Sequence, residues 1–265
     1  MAPSALNDDE VTAIAEALRN ARLTKTPIDA PKSTYPNLDV AGGMAVQKAT
    51  VELAAANGDR LVGYKLGNIA KVMQDFFGVD EPDYGYLLAS SFLLEGQKIP
   101  LDNYIKPFAE LEPAFVLKGP LKGPNVTVFD VISAVDYVLP AVEIIDSRVK
   151  NWTISLEDTL ADCGSNGAVI LGGQPRKPTE LDLGNTRGHL KFNGQEVISG
   201  NTQNILGNPY AAVAWLVNRL VEFDISFEAG QIILPGSCLQ AWPMEGKGRW
   251  ECTYDGWGTV AFDVV

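Results

Sequence analysis

The sequence predicts an α+β protein with a mixed β-roll or barrel-like core and a small helical lobe at its amino terminus. Two observations carry that assignment. Before residue 60, apolar residues recur at helical spacing. From Leu61 onward the chain breaks into short β-like runs separated by Gly, Pro and Asn, with few helices among them. The boundary falls between a helical lobe at 1–60 and a β-roll domain at 61–265.

The first helix is expected from Asp8 to about Leu23. Val11, Ile14, Ala15 and Leu18 share one face, and the acidic start suits the positive end of a helix dipole. A Pro-rich connector follows from Thr26 to Pro36. A second helix is expected from about Ala41 to Ala56, with Asn57-Gly58 as its stop. Strands are expected at Tyr86 to Leu94, Phe108 to Leu117, Ala141 to Ser147, Gly167 to Leu171, His189 to Phe192, Glu196 to Ser199, Gln231 to Leu234, Arg249 to Tyr254 and Thr259 to Val264. Asn193-Gly194 between two of them is a two-residue hairpin signal. The interspersed helices are expected at Ala70 to Phe77, Val128 to Tyr137, Leu156 to Cys163 and Pro209 to Phe223.

A chain of 265 residues, 46% hydrophobic and 20% charged, can bury a substantial core. Its net charge of −12 argues against nucleic acid or an anionic membrane surface as the principal partner. No apolar run approaches the roughly 20 residues that span a bilayer, and the polar, acidic start is unlike a signal peptide, so a cytoplasmic protein is expected. Cys163, Cys238 and Cys252 are an odd set without CxxC spacing, which indicates neither a disulfide framework nor a zinc site. The single histidine, His189, sits in a strand-like run and reads as structural, leaving Ser/His/Asp or Cys/His catalysis without support.

The chemistry is concentrated in the run Phe108-Ala109-Glu110-Leu111-Glu112-Pro113-Ala114-Phe115-Val116-Leu117. In a strand, the period of two sends Glu110 and Glu112 to one face, with Leu111 and Pro113 on the other. Two like charges inside an apolar run are costly unless a cation compensates them. A third acid in similar company is Glu143, in Leu139-Pro140-Ala141-Val142-Glu143-Ile144-Ile145-Asp146. Three hard oxygen ligands suit Mg²⁺ or Mn²⁺, with positions left for water and a chelating substrate. The alternative is a solvated face on an edge strand, with Glu143 unrelated.

Gly63-Tyr64-Lys65-Leu66-Gly67 places a lysine between glycines that permit close backbone approach, so its head can be held in a pocket; a surface turn is the other reading. Asp83, at the end of the acidic loop Gly78 to Gly85, either reaches a pocket mouth or caps the loop as an Asx turn. The turn Asp162-Cys163-Gly164-Ser165-Asn166-Gly167 either offers hydroxyl and amide contacts to a substrate or is a helix stop. Gly256-Trp257-Gly258 lacks the lysine and following helix of a phosphate loop, and Trp257 reads as packing.

These motifs, in order along nearly the whole chain, resemble the fumarylacetoacetate hydrolase superfamily, in its hydratase and decarboxylase branch. The set continues through Asp146-Ser147-Arg148, the Ala161 to Ser165 turn, Leu171-Gly172-Gly173 and Gly256-Trp257-Gly258-Thr259-Val260. The resemblance implies that Glu110, Glu112 and Glu143 hold Mg²⁺ or Mn²⁺, that Lys65 and Asp83 act on the substrate, and that Ser165 and Leu66 contact it. It also implies the family's β-roll, a homo-oligomer, and a small 2-oxo or 2-hydroxy-enoic acid as substrate, used either in aromatic catabolism or in a biosynthetic pathway. The expected reaction is metal-dependent hydration of a 2-hydroxy-dienoate or 2-oxo-enoate. Decarboxylation of a 2-oxo-enedioate is the first alternative; C–C hydrolysis of an acylpyruvate and a catalytically silent scaffold are the others. This chain departs from the family pattern at Phe108, where a basic residue is common, and at Pro113, where Ile is usual. It departs again at Asn68-Ile69, in place of Leu-Thr, and at Leu234-Pro235-Gly236-Ser237, in place of a Leu-Thr-Gly turn.

Overall fold

The computed structural model describes residues 4–69, 74 and 81–265. Three helices come first: α1 (Asp8–Thr24), α2 (Pro31–Thr34) and α3 (Val40–Ala56). α1 is started by Asn7, whose side chain accepts from the Glu10 N–H while Glu10 reaches back to the Asn7 N–H, a reciprocal cap. Its buried face is Ile14, Ala15, Leu18 and Ala21, the stripe its spacing predicts. Asp39 caps α3 through the Gly42 N–H at 2.6 Å.

The main sheet has the order β2-β1-β10-β5-β6-β7-β3, with a short β11 also on β5. Its strands are β1 (Leu61–Gly67), β2 (Asp83–Leu88), β3 (Phe92–Leu93), β5 (Phe108–Leu117), β6 (Val135–Ile145), β7 (Asn166–Leu171), β10 (Ile232–Leu234) and β11 (Trp242–Pro243). A second sheet, ordered β4-β13-β12-β8-β9, uses β4 (Lys98–Ile99), β8 (Arg187–Phe192), β9 (Gln195–Asn201), β12 (Gly248–Tyr254) and β13 (Gly258–Val264). The helices α4 (Val128–Ala134), α5 (Leu156–Ala161) and α6 (Pro209–Leu220) complete the framework.

β5 and β6 form the spine, paired antiparallel from Phe108↔Ile145 to Leu117↔Val135. All ten residues of β5 are buried, so it is a central strand and the solvated-edge reading of Glu110 and Glu112 is excluded. One face of the pair, through Leu111, Phe115, Val138 and Val142, joins the large cluster containing α6 and the second sheet. Tyr254 fastens the two sheets by donating its hydroxyl to the Leu111 carbonyl at 3.2 Å. The other face is concave and layered. Phe108 and Ile145 lie in one apolar cluster, Ala114, Val116, Leu139 and Ala141 in another, and the three glutamates lie between them. Trp257 stacks on Tyr254 with ring centroids 4.8 Å apart, in keeping with a packing role.

Several boundaries differ from the sequence reading. The helix expected to run to Tyr137 stops at Ala134, and β6 starts at Val135 rather than at Ala141. Pairing of Val135 to Val138 with the end of β5 overrides the local helical pattern there. The run Tyr86 to Leu94 is two strands, since Ala89–Ser91 forms a 3-10 turn between β2 and β3. Gly63 to Gly67 belongs to a strand and not to a surface turn. A Cβ on Gly63 would overlap the Ile232 carbonyl, and one on Gly85 that of Cys163, so both glycines answer to close backbone approach. β4 and β11, two residues each, are too short to carry a periodic signal. The helix expected at Ala70 to Phe77 lies outside the described residues except for Gln74. Among the described residues no helix is long and apolar enough to cross a membrane.

Candidate metal centre and active site

The register of the spine builds the site. Glu110 on β5 faces Glu143 on β6, and Glu112 follows one pleat further along the same face. Carboxylate oxygens from the three lie within 4.8 Å of one another, and all three side chains are buried. Each of the two innermost acids has one oxygen fixed and one unsatisfied. Glu112 Oε2 accepts from the Gly236 N–H at 2.8 Å, while its Oε1 has no partner. Glu143 Oε1 accepts from Asn166 Nδ2 at 2.8 Å, while its Oε2 has no hydrogen bond. Orphaned buried oxygens are rare because each carries an unrecovered desolvation cost. Three converging carboxylates with free oxygens fit a hard divalent cation, which would recover that cost.

Lys65 approaches from β1. The residue is 2% exposed, and its ammonium donates to the Gly164 carbonyl at 2.7 Å and lies 3.7 Å from Glu143 Oε2 and 3.5 Å from Asp83 Oδ1. A Cβ on Gly67 would sit 2.7 Å from Lys65 Nζ, and one on Gly164 would sit 3.1 Å from it. Gly164 also has φ +59°, so glycine there serves both the turn and the lysine. Asp83 opens β2, where its Oδ2 accepts from Asn68 Nδ2 at 2.5 Å and Thr159 Oγ1 at 3.0 Å. Its Oδ1 has no hydrogen-bond partner.

Burial acts to lower the Lys65 ammonium, but Glu143, Asp83, Glu110 and Glu112 more than offset it and hold the group protonated, above its ordinary range. Burial, with Glu143 and Asp83 adding to it against Lys65, pushes the Glu110 carboxyl up to about 8. Burial and the two neighbouring glutamates also raise Glu112. A stability profile follows from these shifts. Between the ordinary value of 4.5 and about 8, the folded metal-free protein keeps a proton on Glu110 that the unfolded chain releases. Stability therefore falls as pH rises through that window, on the order of 1.4 kcal/mol per pH unit for each such carboxyl. Thermal melts of chelator-treated protein from pH 5 to 8 are expected to show a falling Tm. Adding Mn²⁺ should restore Tm most at the alkaline end, and Glu110→Gln should make the chelated profile shallower, leaving the share of Glu112. A flat profile in the unsubstituted protein would refute the argument.

Lys65, Asp83, Glu110 and Ser165 line one narrow cleft, with about 10 Å³ of free space, walled on its apolar side by Ile145, Trp152 and Ile154. The structure thus brings together six of the seven residues singled out in the sequence. Leu66 is the exception, since strand alternation sends its side chain into the main apolar core. Asn166, Thr159, Asn68 and the Gly236 N–H were missed as contacts. The first lies in the polar turn already marked, and Asn68 and Gly236 stand at the departures from the family pattern. His189 is on β8 in the other sheet, held by Glu196 at 3.0 Å and Asp255 at 2.9 Å, and does not line the cleft.

The chain matches no protein-family model. It is 40% identical to a 2-oxo-hept-4-ene-1,7-dioate hydratase from Escherichia coli, covering 96% of this chain and 97% of that one. It is 34% identical to a 2-keto-4-pentenoate hydratase from Burkholderia vietnamiensis, with the same 96% and 97% coverage. Among solved structures, 4-oxalocrotonate decarboxylase from Pseudomonas putida G7, complexed with magnesium and adipate, superposes with a TM-score of 0.94. That pair is 32% identical over 98% of this chain and 99% of the other. A fumarylacetoacetate hydrolase family protein from Yersinia pestis CO92 shares the fold alone, with a TM-score of 0.56 and 17% identity over 77% of this chain and 93% of that one.

Proposed function

The chain belongs to the hydratase and decarboxylase branch of the fumarylacetoacetate hydrolase superfamily, and from that membership we propose a divalent-metal-dependent lyase that hydrates a 2-hydroxy-dienoate or 2-oxo-enoate to a 4-hydroxy-2-oxo acid. The observation that carries the reading is the buried Lys65 ammonium between Asp83 and an acid cluster whose free oxygens converge. Glu110, Glu112 and Glu143 would hold Mg²⁺ or Mn²⁺. When bound, the metal supplies Lewis-acid stabilisation of negative charge on the substrate's C2 oxygen.

The chain's own groups do the rest. Lys65, kept protonated, anchors the substrate carboxylate or returns a proton to carbon. Asp83, fixed through one oxygen by Asn68 and Thr159, offers the other to take a proton from the dienol hydroxyl or from the adding water. Ketonisation moves the 2-hydroxyl proton to the terminal carbon, and water then adds to the resulting enone at its distal alkene carbon. Ser165, whose hydroxyl proton goes to Asp162 at 3.2 Å, offers its oxygen as an acceptor, while Leu66 contributes only backbone. Ile145, Trp152 and Ile154 restrict bulk water. A homo-oligomer and a division at residue 60 into a helical lobe and a catalytic β-roll belong to the same reading on the strength of the family resemblance, and a cytoplasmic location is proposed with them.

Release of CO₂ from a 2-oxo-enedioate is a second reading, supported by the likeness to the decarboxylase, and would use the same electron sink. Acylpyruvate hydrolysis loses support because His189 is committed elsewhere. The test is turnover of 2-hydroxypenta-2,4-dienoate with Mg²⁺ or Mn²⁺, following loss of dienol absorbance, beside Glu110→Ala. Metal-dependent conversion to the hydrated keto acid, abolished in the variant, is expected. Tight metal binding without turnover would overturn hydration and direct the search to CO₂ release.

A further inference from the structure

Behind the catalytic turn lies a second cavity, of about 330 Å³, between α1, α3 and β2. That volume is in the range of small-molecule pockets. Leu18, Leu23, Ala54 and Leu88 give it apolar walls, and three arginines line it: Arg19, which is exposed, and the more buried Arg22 and Arg148.

Arg22 and Arg148 differ in how they are satisfied. Arg148 is paired with the Asp162 carboxylate and also donates to the carbonyls of Asp146 at 2.8 Å and Asn166 at 2.7 Å. Arg22 donates only to backbone carbonyls, those of Asn166 at 3.2 Å and Gly167 at 2.8 Å. Among the described residues no carboxylate lies within ion-pair distance of it. Asp59, the other acid at the cavity, is held by Ser90 and by the Arg60 N–H. A guanidinium has five N–H donors, so Arg22 retains three for a ligand. A largely buried cation held by carbonyls alone lacks a contacting counter-ion, which a planar anion would supply bidentately.

We infer that this cavity is a binding site, separate from the catalytic cleft, for a small acid with an anionic head on Arg22 and an apolar body along Leu18, Leu23 and Ala54. The turn from Asp162 to Asn166 separates the two sites. Cys163 lines the cavity, while Gly164 and Ser165 line the cleft. Asn166 joins them, because its carbonyl accepts from Arg22 and Arg148 and its side chain holds Glu143.

The experiment is calorimetric titration of the metal-loaded protein with hexanoate, hexyl phosphate and hexanol. Arg22→Gln removes the charge. Ala54→Trp fills the cavity while leaving the bonds of Arg22 in place, so the test survives if the first variant folds poorly. Lys65→Met reports on the catalytic cleft. At least one of the acids is expected to bind, with hexanol silent, affinity at least tenfold weaker in Arg22→Gln and Ala54→Trp, and unchanged affinity in Lys65→Met. The tighter of the two acids identifies the head group. Binding that survives Ala54→Trp but is lost in Lys65→Met would place the acid in the catalytic cleft and overturn the inference. So would no binding of either acid up to about 10 mM, tenfold above a millimolar Kd.

Discussion

Glu143→Gln is expected to lower kcat/KM by at least about 10³-fold, the scale on which loss of a metal's charge stabilisation acts. The substitution keeps the shape of the side chain and an oxygen for Asn166 Nδ2, so its effect is charge and not collapse. What it removes is central. Glu143 is register partner to Glu110, raises both neighbouring glutamates, and lies 3.7 Å from the Lys65 ammonium. Divalent-metal affinity should fall with activity, measured by calorimetry beside steady-state kinetics across metal concentration. The metal-free variant should melt above the metal-free parent, because one member of a buried like-charged cluster is gone. This opposite movement of stability and activity separates a functional acid from a structural one. A variant that binds metal and turns over near the parental rate would refute the assignment of Glu143 to the metal.

The parts of the site legible in the sequence are those set by local period. Phe108–Leu117 begins and ends where its apolar alternation says, and Glu110 and Glu112 share a face for the same reason. Whether that face is solvated was not legible, because burial of β5 depends on β6 and β10, which pair with it from distant parts of the chain. The register that sets Glu110 opposite Glu143 is non-local in the same way. The beginning of β6 was missed because Val128 to Ala134 supplies a true helical cap and face, and only pairing with β5 reveals the switch at Val135. Leu66 shows the limit of motif adjacency, since a residue beside Lys65 in a strand necessarily points away from it. Asn166 and Thr159 reach their partners across 23 and 76 residues, and nothing local marks either as a partner of an acid.

Lys65→Met should lower kcat by about 10² to 10⁴-fold, the range for loss of a positioned proton donor, with a smaller rise in KM. Methionine matches the length of the lysine stem and leaves Glu110, Glu112 and Glu143 in place, so metal should still bind. Removing a buried cation beside the acids also removes its repulsion of the metal. Lys65→Arg is not expected to rescue the loss. Gly67 and Gly164 close around the ammonium so tightly that even an added Cβ would crowd it, and a guanidinium is larger. Asp83 would lose the cation 3.5 Å from its free oxygen. Single-turnover measurements at saturating Mn²⁺ distinguish the roles. A fall in the chemical step with metal stoichiometry intact places Lys65 on the substrate. Loss of metal binding with the activity would instead make it a counter-ion of the cluster, and proton transfer at this site would have to be assigned to Asp83 alone.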